Sequence, residues 1–222
     1  MLQFAKEGYP FIFFFAVVTV LLAVFRFQWV AVAALILTLF MLFFFRDPDR
    51  ETIKDQNAFH SPADGKVIFI GKGIEDEMLN DSAMKISIFM SPLDVHINRV
   101  PCDGAVKEVK HYPGKFISAF KDDASKFNEH ITMLFACEQH GDIVLKQIAG
   151  AVARRAICRV KSGDSLKQGE RYGMIKFSSR VDIFLPLDTD IKVQLNDKVK
   201  AGETILGTRT QNPGISNASS DH

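Results

Sequence analysis

The architecture is decided by residues 11–45, which read FIFFFAVVTVLLAVFRFQWVAVAALILTLFMLFFF. Two apolar blocks, Phe11–Phe25 and Val30–Phe45, flank Arg26, the only ionised side chain in this stretch. A single straight helix of this length would reach about 50 Å at ~1.5 Å per residue, whereas the hydrocarbon core of a bilayer is ~30 Å thick. The pattern therefore predicts two membrane helices of roughly 16–20 residues, turned at Arg26–Gln28.

The flanks of this stretch indicate how the hairpin is placed. Lys6 precedes it, and Arg46, Arg50 and Lys54 follow it. Because short basic flanks tend to stay in the cytoplasm, the pattern favours the cell membrane, with both flanks and the domain that follows on the cytoplasmic side. A cleaved signal peptide is disfavoured, since the apolar block is doubled and no small-residue cleavage site follows it. Residues 1–50 are thus predicted to be a membrane anchor.

The composition of the whole chain excludes some functions. The chain has 222 residues and a formal net charge of +1, so a general nucleic-acid role has no electrostatic support. Its three cysteines, Cys102, Cys137 and Cys158, show no metal-ligand spacing. We interpret them as small core residues in a reducing compartment.

After residue 50 the pattern changes to short runs of β-branched and apolar residues, separated by Gly, Pro, Asp and Asn. These runs predict strands at Val67–Ile70, Lys85–Met90, Ala105–Val109, Ile131–Ala136, Ile143–Ala149, Ala156–Val160, Met174–Phe177, Val181–Leu185 and Ile191–Leu195. Only Phe116–Glu129 has a helical pattern. Residues 51–209 are therefore predicted to form one mostly antiparallel β domain, and the polar tail 210–222 is expected to be disordered.

Two internal echoes refine the fold class. Pro62–Val67 (PADGKV) resembles Pro101–Val106 (PCDGAV) at an offset of 39, and Val160–Glu170 (VKSGDSLKQGE) resembles Val193–Glu203 (VQLNDKVKAGE) at an offset of 33. Their Asp-Gly and Asn-Asp pairs supply turns between strands. Repeated hairpins of this kind are typical of the antiparallel barrel-sandwich folds of lipoyl and biotinyl carrier domains, a likeness that says little about function.

Polar residues in unusual places are the candidates for chemistry. His96 directly follows an apolar strand, Asp64 lies in a Pro-Ala-Asp-Gly segment, and Ser178 and Ser179 interrupt the strand-like run 172–186. Each has a plain structural alternative: a histidine at the surface, an aspartate that forms a turn, and a serine that bonds a neighbouring backbone group. The pattern alone therefore indicates only a β-rich domain on a membrane anchor.

Four segments, taken together, resemble the short, membrane-anchored form of phosphatidylserine decarboxylase. They are Phe44–Arg50 (FFRDPDR), Ser61–Val67 (SPADGKV), Met90–Arg99 (MSPLDVHINR) and Gly169–Asp182 (GERYGMIKFSSRVD), in order along nearly the whole chain. The resemblance implies an enzyme that cuts itself at a Gly-Ser pair and converts the serine into a pyruvoyl group. Here the pair is Ser178-Ser179, so Ser179 is the implied pyruvoyl precursor and cleavage would give fragments 1–178 and 179–222.

The resemblance also implies roles for single residues. The family's active-site Asp falls on Asp64 and its catalytic His on His96, so His96, oriented by Asp64, would take the proton from Ser179. His96 would also reprotonate the product, because an unperturbed imidazole has a pKa near 6.5. The chain departs from the family twice. Ser178 replaces a glycine, which is expected to slow self-cleavage, and Arg99 replaces a second histidine.

The substrate and the partners follow from the same resemblance. The pyruvoyl carbonyl would form a Schiff base with the amine of phosphatidylserine and accept the electrons released with carbon dioxide, giving phosphatidylethanolamine with no metal and no diffusible cofactor. Arg180, Arg99 and Lys115 are candidates to bind the substrate. The expected partners are the membrane phospholipid, the lipid bilayer and the chain's own two fragments, which would form a heterodimer. Two such heterodimers would be able to pair as a homodimer. No nucleic acid is expected.

Two alternatives stay open at this point. One is a non-catalytic, lipoyl-like adaptor module on a membrane hairpin, which would remain one intact polypeptide. The other is the same chemistry on an archaeal-type ether lipid, which the sequence does not distinguish because the pocket reads the head group.

Overall fold

A computed structural model describes residues 3–75, 77–119, 124–150, 155–176 and 179–209. Its N-terminal part is a helical hairpin, formed by a short 3-10 helix Lys6–Gly8, helix α1 Tyr9–Val24 and helix α2 Gln28–Phe44. The chain reverses between the two long helices at Arg26, which takes a left-handed φ of 62°. The predicted hairpin, turned at its polar residues, is therefore confirmed.

The hairpin is apolar on its outside. The segment Lys6–Val24 is long and apolar enough to cross a membrane, with a mean hydropathy of 2.0, and α2 is apolar but shorter. No residue of α1 is buried in the protein. At 1.5 Å per residue the two helices reach roughly 24–26 Å, slightly less than the ~30 Å hydrocarbon core.

The rest of the described chain is a β domain. Its strands are β1 Ala58–His60, β2 Gly65–Glu75, β3 Asp81–Met90, β4 Ile97–Arg99, β5 Gly104–Tyr112, β6 His130–Cys137, β7 Gly141–Ala149, β8 Ala156–Cys158, β9 Ser165–Leu166, β10 Arg171–Ile175, β11 Ser179–Leu185, β12 Asp190–Ile191, β13 Lys198–Val199 and β14 Ile205–Thr208, with a one-turn helix α3 Ala124–Phe127. These strands pair antiparallel throughout. The mostly β, antiparallel fold with an N-terminal helical hairpin is confirmed.

Three sheets organise the domain. The largest has the order β13-β2-β3-β11-β7-β6-β5-β9, and two three-stranded sheets have the orders β1-β14-β12 and β4-β10-β8. Strand β11 lies between β3 and β7, and each of its residues is buried, so it is the centre of the large sheet. Within the described ranges the sheets do not close into a barrel, so the likeness to carrier domains lies in the hairpins.

The two sequence echoes are structural repeats. Val199 of β13 pairs with Gly65 of β2, and Leu166 of β9 pairs with Gly104 of β5. The two pairings are related by the same offsets, 33 and 39, as the echoes. In each repeat a short strand pairs with the first residues of a long strand, and the same turn residues therefore occur twice.

Most of the predicted elements are present, with two main differences. The run Ile191–Leu195 contributes only Asp190–Ile191 to a strand. In the run Phe116–Glu129, α3 is the only helix among the described residues, because the Asn128 side chain bonds both the N–H and the carbonyl of Ile117 and holds this part as a loop. Phe177, residues 120–123 and the tail 210–222 lie outside the described residues.

The expectation of three free cysteines is wrong for two of them. Cys102 and Cys137 form a disulfide, with 6.1 Å between their Cα atoms, whereas Cys158 is free and half-buried. The pair is close because β5 and β6 are antiparallel neighbours, which places Cys137 opposite Gly104, two residues after Cys102. A separation of 35 residues along the chain does not predict this contact.

The base of the hairpin is packed onto the β domain. Phe44 and Phe45, at the end of α2, form an apolar cluster with Val95, Ile97 and Met174, and all five are buried. This cluster is separate from the main core between the sheets. The hairpin is therefore joined to one defined part of the domain, the turn before β4 and the strand β10.

Candidate active site at the base of the hairpin

His96 lies at this junction, between β3 and β4. Its side chain has no exposed surface, and its Nδ1 atom is 3.0 Å from the carbonyl oxygen of Asp94. Because a carbonyl only accepts hydrogen bonds, Nδ1 carries the proton and Nε2 holds the lone pair. Nε2 is buried and has no hydrogen-bond partner among the described residues. A buried acceptor without a partner is costly, so this atom is a candidate for a reacting group.

The surroundings of His96 favour its neutral form. The ring of Phe44 lies against the imidazole, with 4.3 Å between the ring centroids. Burial lowers the pKa of His96 to about 4, and the bond to the Asp94 carbonyl offsets only part of this effect. The imidazole is therefore a proton acceptor at neutral pH. The expectation of a proton donor with a pKa near 6.5 does not hold for the resting protein.

Ser179 begins the central strand β11 and is fully buried. Its register partners are Met90 on β3 and Ala149 on β7, and its hydroxyl donates a weak hydrogen bond to the Met90 sulfur at 3.5 Å. The next residues after Met90 form the loop that carries His96. Earlier in the chain, at the end of β10, the Ile175 N–H donates to the His96 carbonyl at 3.2 Å. The fold thus brings His96 and Ser179 to the same end of the sheet, while Ser178 lies outside the described residues.

A pair of buried amides beside Met90 was not singled out from the sequence. Gln147 donates to the Asn98 side-chain oxygen at 2.8 Å, and the Asn98 amide group faces the Met90 sulfur at 3.8 Å. Both residues are buried, and the Gln147 side-chain oxygen has no described hydrogen-bond partner. A glutamine in the middle of the apolar strand Ile143–Ala149 was the available signal.

Asp64 is buried but does not orient His96. One carboxylate oxygen accepts from Arg50 at 2.7 Å, and the other accepts from the Ala201 N–H at 2.8 Å. His96 is instead oriented by the carbonyl of Asp94. Burial raises the pKa of Asp64, although Ala201 and Arg50 both favour its charged form. In place of the expected Asp64–His96 hydrogen bond, Asp64 bonds Arg50 and Ala201, and His96 bonds the Asp94 carbonyl.

The internal repeat gives Asp64 a structural counterpart, Asp103. As Asp64 accepts from the Ala201 N–H, Asp103 accepts from the Gln168 N–H at 2.6 Å, and the offsets of 39 and 33 are those of the repeat. The two carboxylates differ in their surroundings. Burial opposes ionisation of both, but at Asp103 the Gln168 N–H and Lys167 prevail and lower the pKa. Both carboxylates therefore accept a hydrogen bond that holds a turn, but of the two only Asp64 has a raised pKa.

Two of the three proposed substrate-binding cations have partners inside the protein. Arg99 is buried and donates to the carbonyls of Gly169 at 2.8 Å and Pro48 at 3.0 Å. It joins the segment after the hairpin to the β domain, so its contact with a lipid phosphate is not supported. Lys115 is exposed, in the loop before α3.

Arg180 is also buried, on the opposite face of β11 from Ser179. Its guanidinium donates to Asp182 at 2.5 Å and to the Ser87 hydroxyl at 2.8 Å. Lys85 lies 2.9 Å from the same Asp182 carboxylate, and the Ser125 hydroxyl donates to it. Arg180 thus belongs to a buried ion network that fixes β11 against β3 and α3, and direct substrate binding by it is not supported.

The site can be tested for the group that the resemblance implies. A pyruvoyl group would arise from Ser179 itself, so the site needs a buried serine and a base at the same end of the sheet. The neutral His96, whose Nε2 has no hydrogen-bond partner among the described residues, fits that requirement. Within the described ranges there is no group of three or more His, Cys, Asp or Glu side chains that would hold a metal ion.

The fold and the site together define a candidate enzyme, an antiparallel β domain on an apolar hairpin with a buried serine and a base-form histidine at the junction. Residues 37–207 match the family model described as phosphatidylserine decarboxylase. The chain belongs to the phosphatidylserine decarboxylase family.

Curated relatives agree over most of the chain. A phosphatidylserine decarboxylase proenzyme of Syntrophus aciditrophicus is 46% identical over 205 residues, covering 92% of this chain and 96% of the relative. Proteins of the same name from Geotalea uraniireducens and Geobacter metallireducens are 45% and 44% identical, and each alignment covers 91% of this chain and 95% of the relative. The residues matched by the family model, 37–207, include the end of α2 at the hairpin base and nearly all of the β domain.

Proposed function

We propose that this chain is a self-processing, pyruvoyl-dependent carboxy-lyase that converts phosphatidylserine into phosphatidylethanolamine and carbon dioxide at a membrane surface. The proposal rests on two groups at one end of the central sheet: a fully buried Ser179, and a His96 Nε2 that has no hydrogen-bond partner among the described residues. The non-catalytic adaptor and the ether-lipid enzyme are not favoured, because the relatives that share over 40% of their residues with this chain are named decarboxylase proenzymes.

Self-cleavage begins at Ser179. His96 takes the hydroxyl proton onto Nε2, and the Ser179 oxygen attacks the carbonyl carbon of Ser178, which replaces the peptide bond by an ester. Loss of the Cα proton of residue 179, with cleavage of its Cβ–O bond, releases Ser178 as a carboxylate and leaves dehydroalanine. Water then replaces the nitrogen, ammonia leaves, and residue 179 ends as a pyruvoyl group.

The fold explains how the two fragments would stay together. After a break between 178 and 179, β11 would belong to the small fragment and β3 and β7 to the large one, and β11 is hydrogen-bonded to both along its length. The buried carboxylate of Asp182 adds ion pairs to Lys85 across the same boundary. A heterodimer of residues 1–178 and 179–222 is therefore expected without any further link.

The catalytic chemistry divides between the new group and the protein. The pyruvoyl carbonyl supplies an electron acceptor for the loss of carbon dioxide. His96 is neutral at rest and holds or returns a proton at Nε2, at the same end of the sheet as residue 179. Phe44 and the buried apolar cluster around it exclude water from this side of the imidazole.

The hairpin places this site at the lipid. A diacyl lipid does not leave the bilayer easily, since each buried CH₂ contributes ~0.8 kcal/mol, so the enzyme has to reach the head group. The start and the end of the hairpin lie side by side, where the Ala5 N–H donates to the Phe45 carbonyl, and the site lies at this base. With the basic flanks retained inside, the domain faces the cytoplasm at the cell membrane.

Intact mass spectrometry tests the proposal. The purified protein is expected as two chains, and the one that begins at residue 179 should be lighter by one ammonia than a fragment with an N-terminal serine. Ser179→Ala should stay one chain and lose decarboxylation, whereas Ser165→Ala, at an exposed position, should behave like the natural protein. Active protein with an uncut chain and an unmodified Ser179 would refute the proposal.

A further inference from the structure

The loop that carries His96 has an exposed leucine at its tip. Leu93 is 66% exposed, although its neighbours Met90, Val95 and His96 are buried. The turn is closed by an Asp94 N–H to Ser91 carbonyl bond at 3.0 Å and by the Ser91 N–H to the Asp94 carboxylate at 2.8 Å. Leu93 is therefore presented outward on a hydrogen-bonded turn.

This tip is fastened to the base of the hairpin. The guanidinium of Arg46 donates to the Leu93 carbonyl at 2.7 Å and to the carbonyl of Phe43, the penultimate residue of α2, at 2.7 Å. The guanidinium carbon of Arg46 also lies 3.8 Å from the centre of the Phe43 ring. Leu93 and the end of α2 are thus held side by side.

A second exposed aromatic side chain lies at the same end of the sheet. Phe127, the last residue of α3, is 54% exposed. The side chain of the next residue, Asn128, donates to the Ala149 carbonyl at 2.6 Å, and Ala149 is the register partner of Ser179. On the other side of Ser179 is Met90, directly before the Leu93 turn. The two exposed apolar side chains therefore flank the strand end that begins with Ser179.

The length of the hairpin determines how deeply this end lies. Helices of roughly 24–26 Å are shorter than the ~30 Å hydrocarbon core, so full burial of their apolar surface draws the base of the domain into the head-group layer. Residues beside that base then meet lipid rather than water. Arg46 and the exposed Lys115 supply cations at this level for lipid phosphates.

We propose that Leu93 and Phe127 form a lipid-docking rim beside the strand end that begins with Ser179, a contact with the bilayer surface in addition to the hairpin. The inference rests on the membrane placement given under the proposed function.

Quenching of tryptophan fluorescence by brominated phosphatidylcholine tests the rim without requiring activity. The chain has one tryptophan, Trp29, so the unchanged protein in vesicles reports insertion of the hairpin. In a Trp29→Phe background, Leu93→Trp and Phe127→Trp are expected to be strongly quenched. Leu187→Trp, a 44% exposed position beyond the opposite end of β11, is the control and should not be.

The outcomes separate the rim from the rest of the proposal. Quenching of Trp29 without quenching at 93 and 127 would show that the hairpin inserts but the rim does not exist. Absence of quenching at all positions would overturn the membrane placement and the rim together. Self-cleavage and decarboxylation are measured separately, and their failure would leave the quenching result unaffected.

A kinetic test compares Leu93 with the control position Leu187. Leu93→Asp should lower the decarboxylation rate several-fold on long-chain phosphatidylserine in vesicles and leave the rate on monomeric short-chain phosphatidylserine nearly unchanged. Leu187→Asp should change neither rate. Equal losses of Leu93→Asp on both substrates would contradict a docking role and indicate damage to the loop.

Discussion

The ring of Phe44, the last residue of the second hairpin helix, lies 4.3 Å from the ring of His96. The second hairpin helix thus ends on the imidazole that is proposed to act as the base. Phe44 belongs to the small buried cluster that joins the hairpin to the β domain, and the His96 ring lies against the Phe44 ring. The contact also makes the protonation of His96 depend on a residue of the hairpin.

Phe44→Ala is expected to raise the pKa of His96 toward its ordinary value, because water would reach the imidazole. Since Phe44 is fully buried, the change should also cost about 3–5 kcal/mol of stability. Leu39→Ala, at a 55% exposed position of the same helix, is the matched control and should change neither quantity. Histidine-ring NMR titration and thermal melts in detergent are the measurements, and an unmoved His96 pKa would contradict the shielding role.

His96 should also make the stability depend on pH. Its pKa is about 4 in the folded protein and near 6.5 in the unfolded chain. Between these values the unfolded chain takes up a proton that the folded protein does not, so stability should fall as the pH drops from 6.5 toward 4, by roughly 3 kcal/mol in all. His96→Gln should lack this component in thermal melts over the same pH range. Parallel curves for the two proteins would refute the assignment.

The repeat offers a controlled test of Asp64. Asp64→Asn and Asp103→Asn both retain a side-chain oxygen for the backbone N–H of their turn, and both lose the charge. We expect only Asp64→Asn to slow self-cleavage, measured as the fraction of cut chain against time, because only Asp64 is next to the proposed site and has a raised pKa. Equal rates for both variants would reduce Asp64 to a turn residue.

The network around Asp182 should be a main source of stability. Asp182 is fully buried and pairs with Arg180 and Lys85, so Asp182→Asn should cost about 3–5 kcal/mol. The exposed pair of Lys107 and Asp142 is the control, and Asp142→Asn should cost less than about 1 kcal/mol. Guanidinium unfolding in a Ser179→Ala background keeps the protein as one chain, and similar losses for the two variants would contradict the prediction.

The disulfide between Cys102 and Cys137 should raise the melting temperature. It spans 35 residues, a loop for which the gain is about 4 kcal/mol, or roughly 8–16 °C in a protein of this size. A reducing agent should lower the melting temperature by that amount in the natural protein and leave the double variant Cys102→Ser/Cys137→Ser unchanged. Thiol trapping in intact cells adds a test of orientation, since a cytoplasmic domain should hold this pair reduced.

Much of the fold was predictable because it depends on local patterns. The apolar run 11–45 is too long for one span, and its polar interruption at Arg26 marks the turn that the structure contains. The alternating runs marked the long strands, since each has at least one buried face. The offsets of 33 and 39 indicated a repeat that the strand pairing confirms.

The site was only partly predictable, because burial and partners are properties of the packed chain. His96 and Ser179 were proposed from their motifs, and their fully buried positions are consistent with that proposal. Arg99 and Arg180 were expected to face a phosphate. The sequence does not reveal that Arg99 donates to the Pro48 carbonyl or that Arg180 donates to the Asp182 carboxylate. Gln147 was overlooked since a single amide in a strand gives no hint of its neighbours.

By itself the sequence determined the hairpin, the antiparallel β domain and the motifs that resemble the family, because hydrophobic period and turn residues act over a few positions. Tertiary structure alone decided the pairing of Cys102 with Cys137, the partner of Asp64 and the neutral state of His96. All three features depend on which distant residues come into contact and on how much water those contacts exclude. Neither can be read from the distance between residues along the chain.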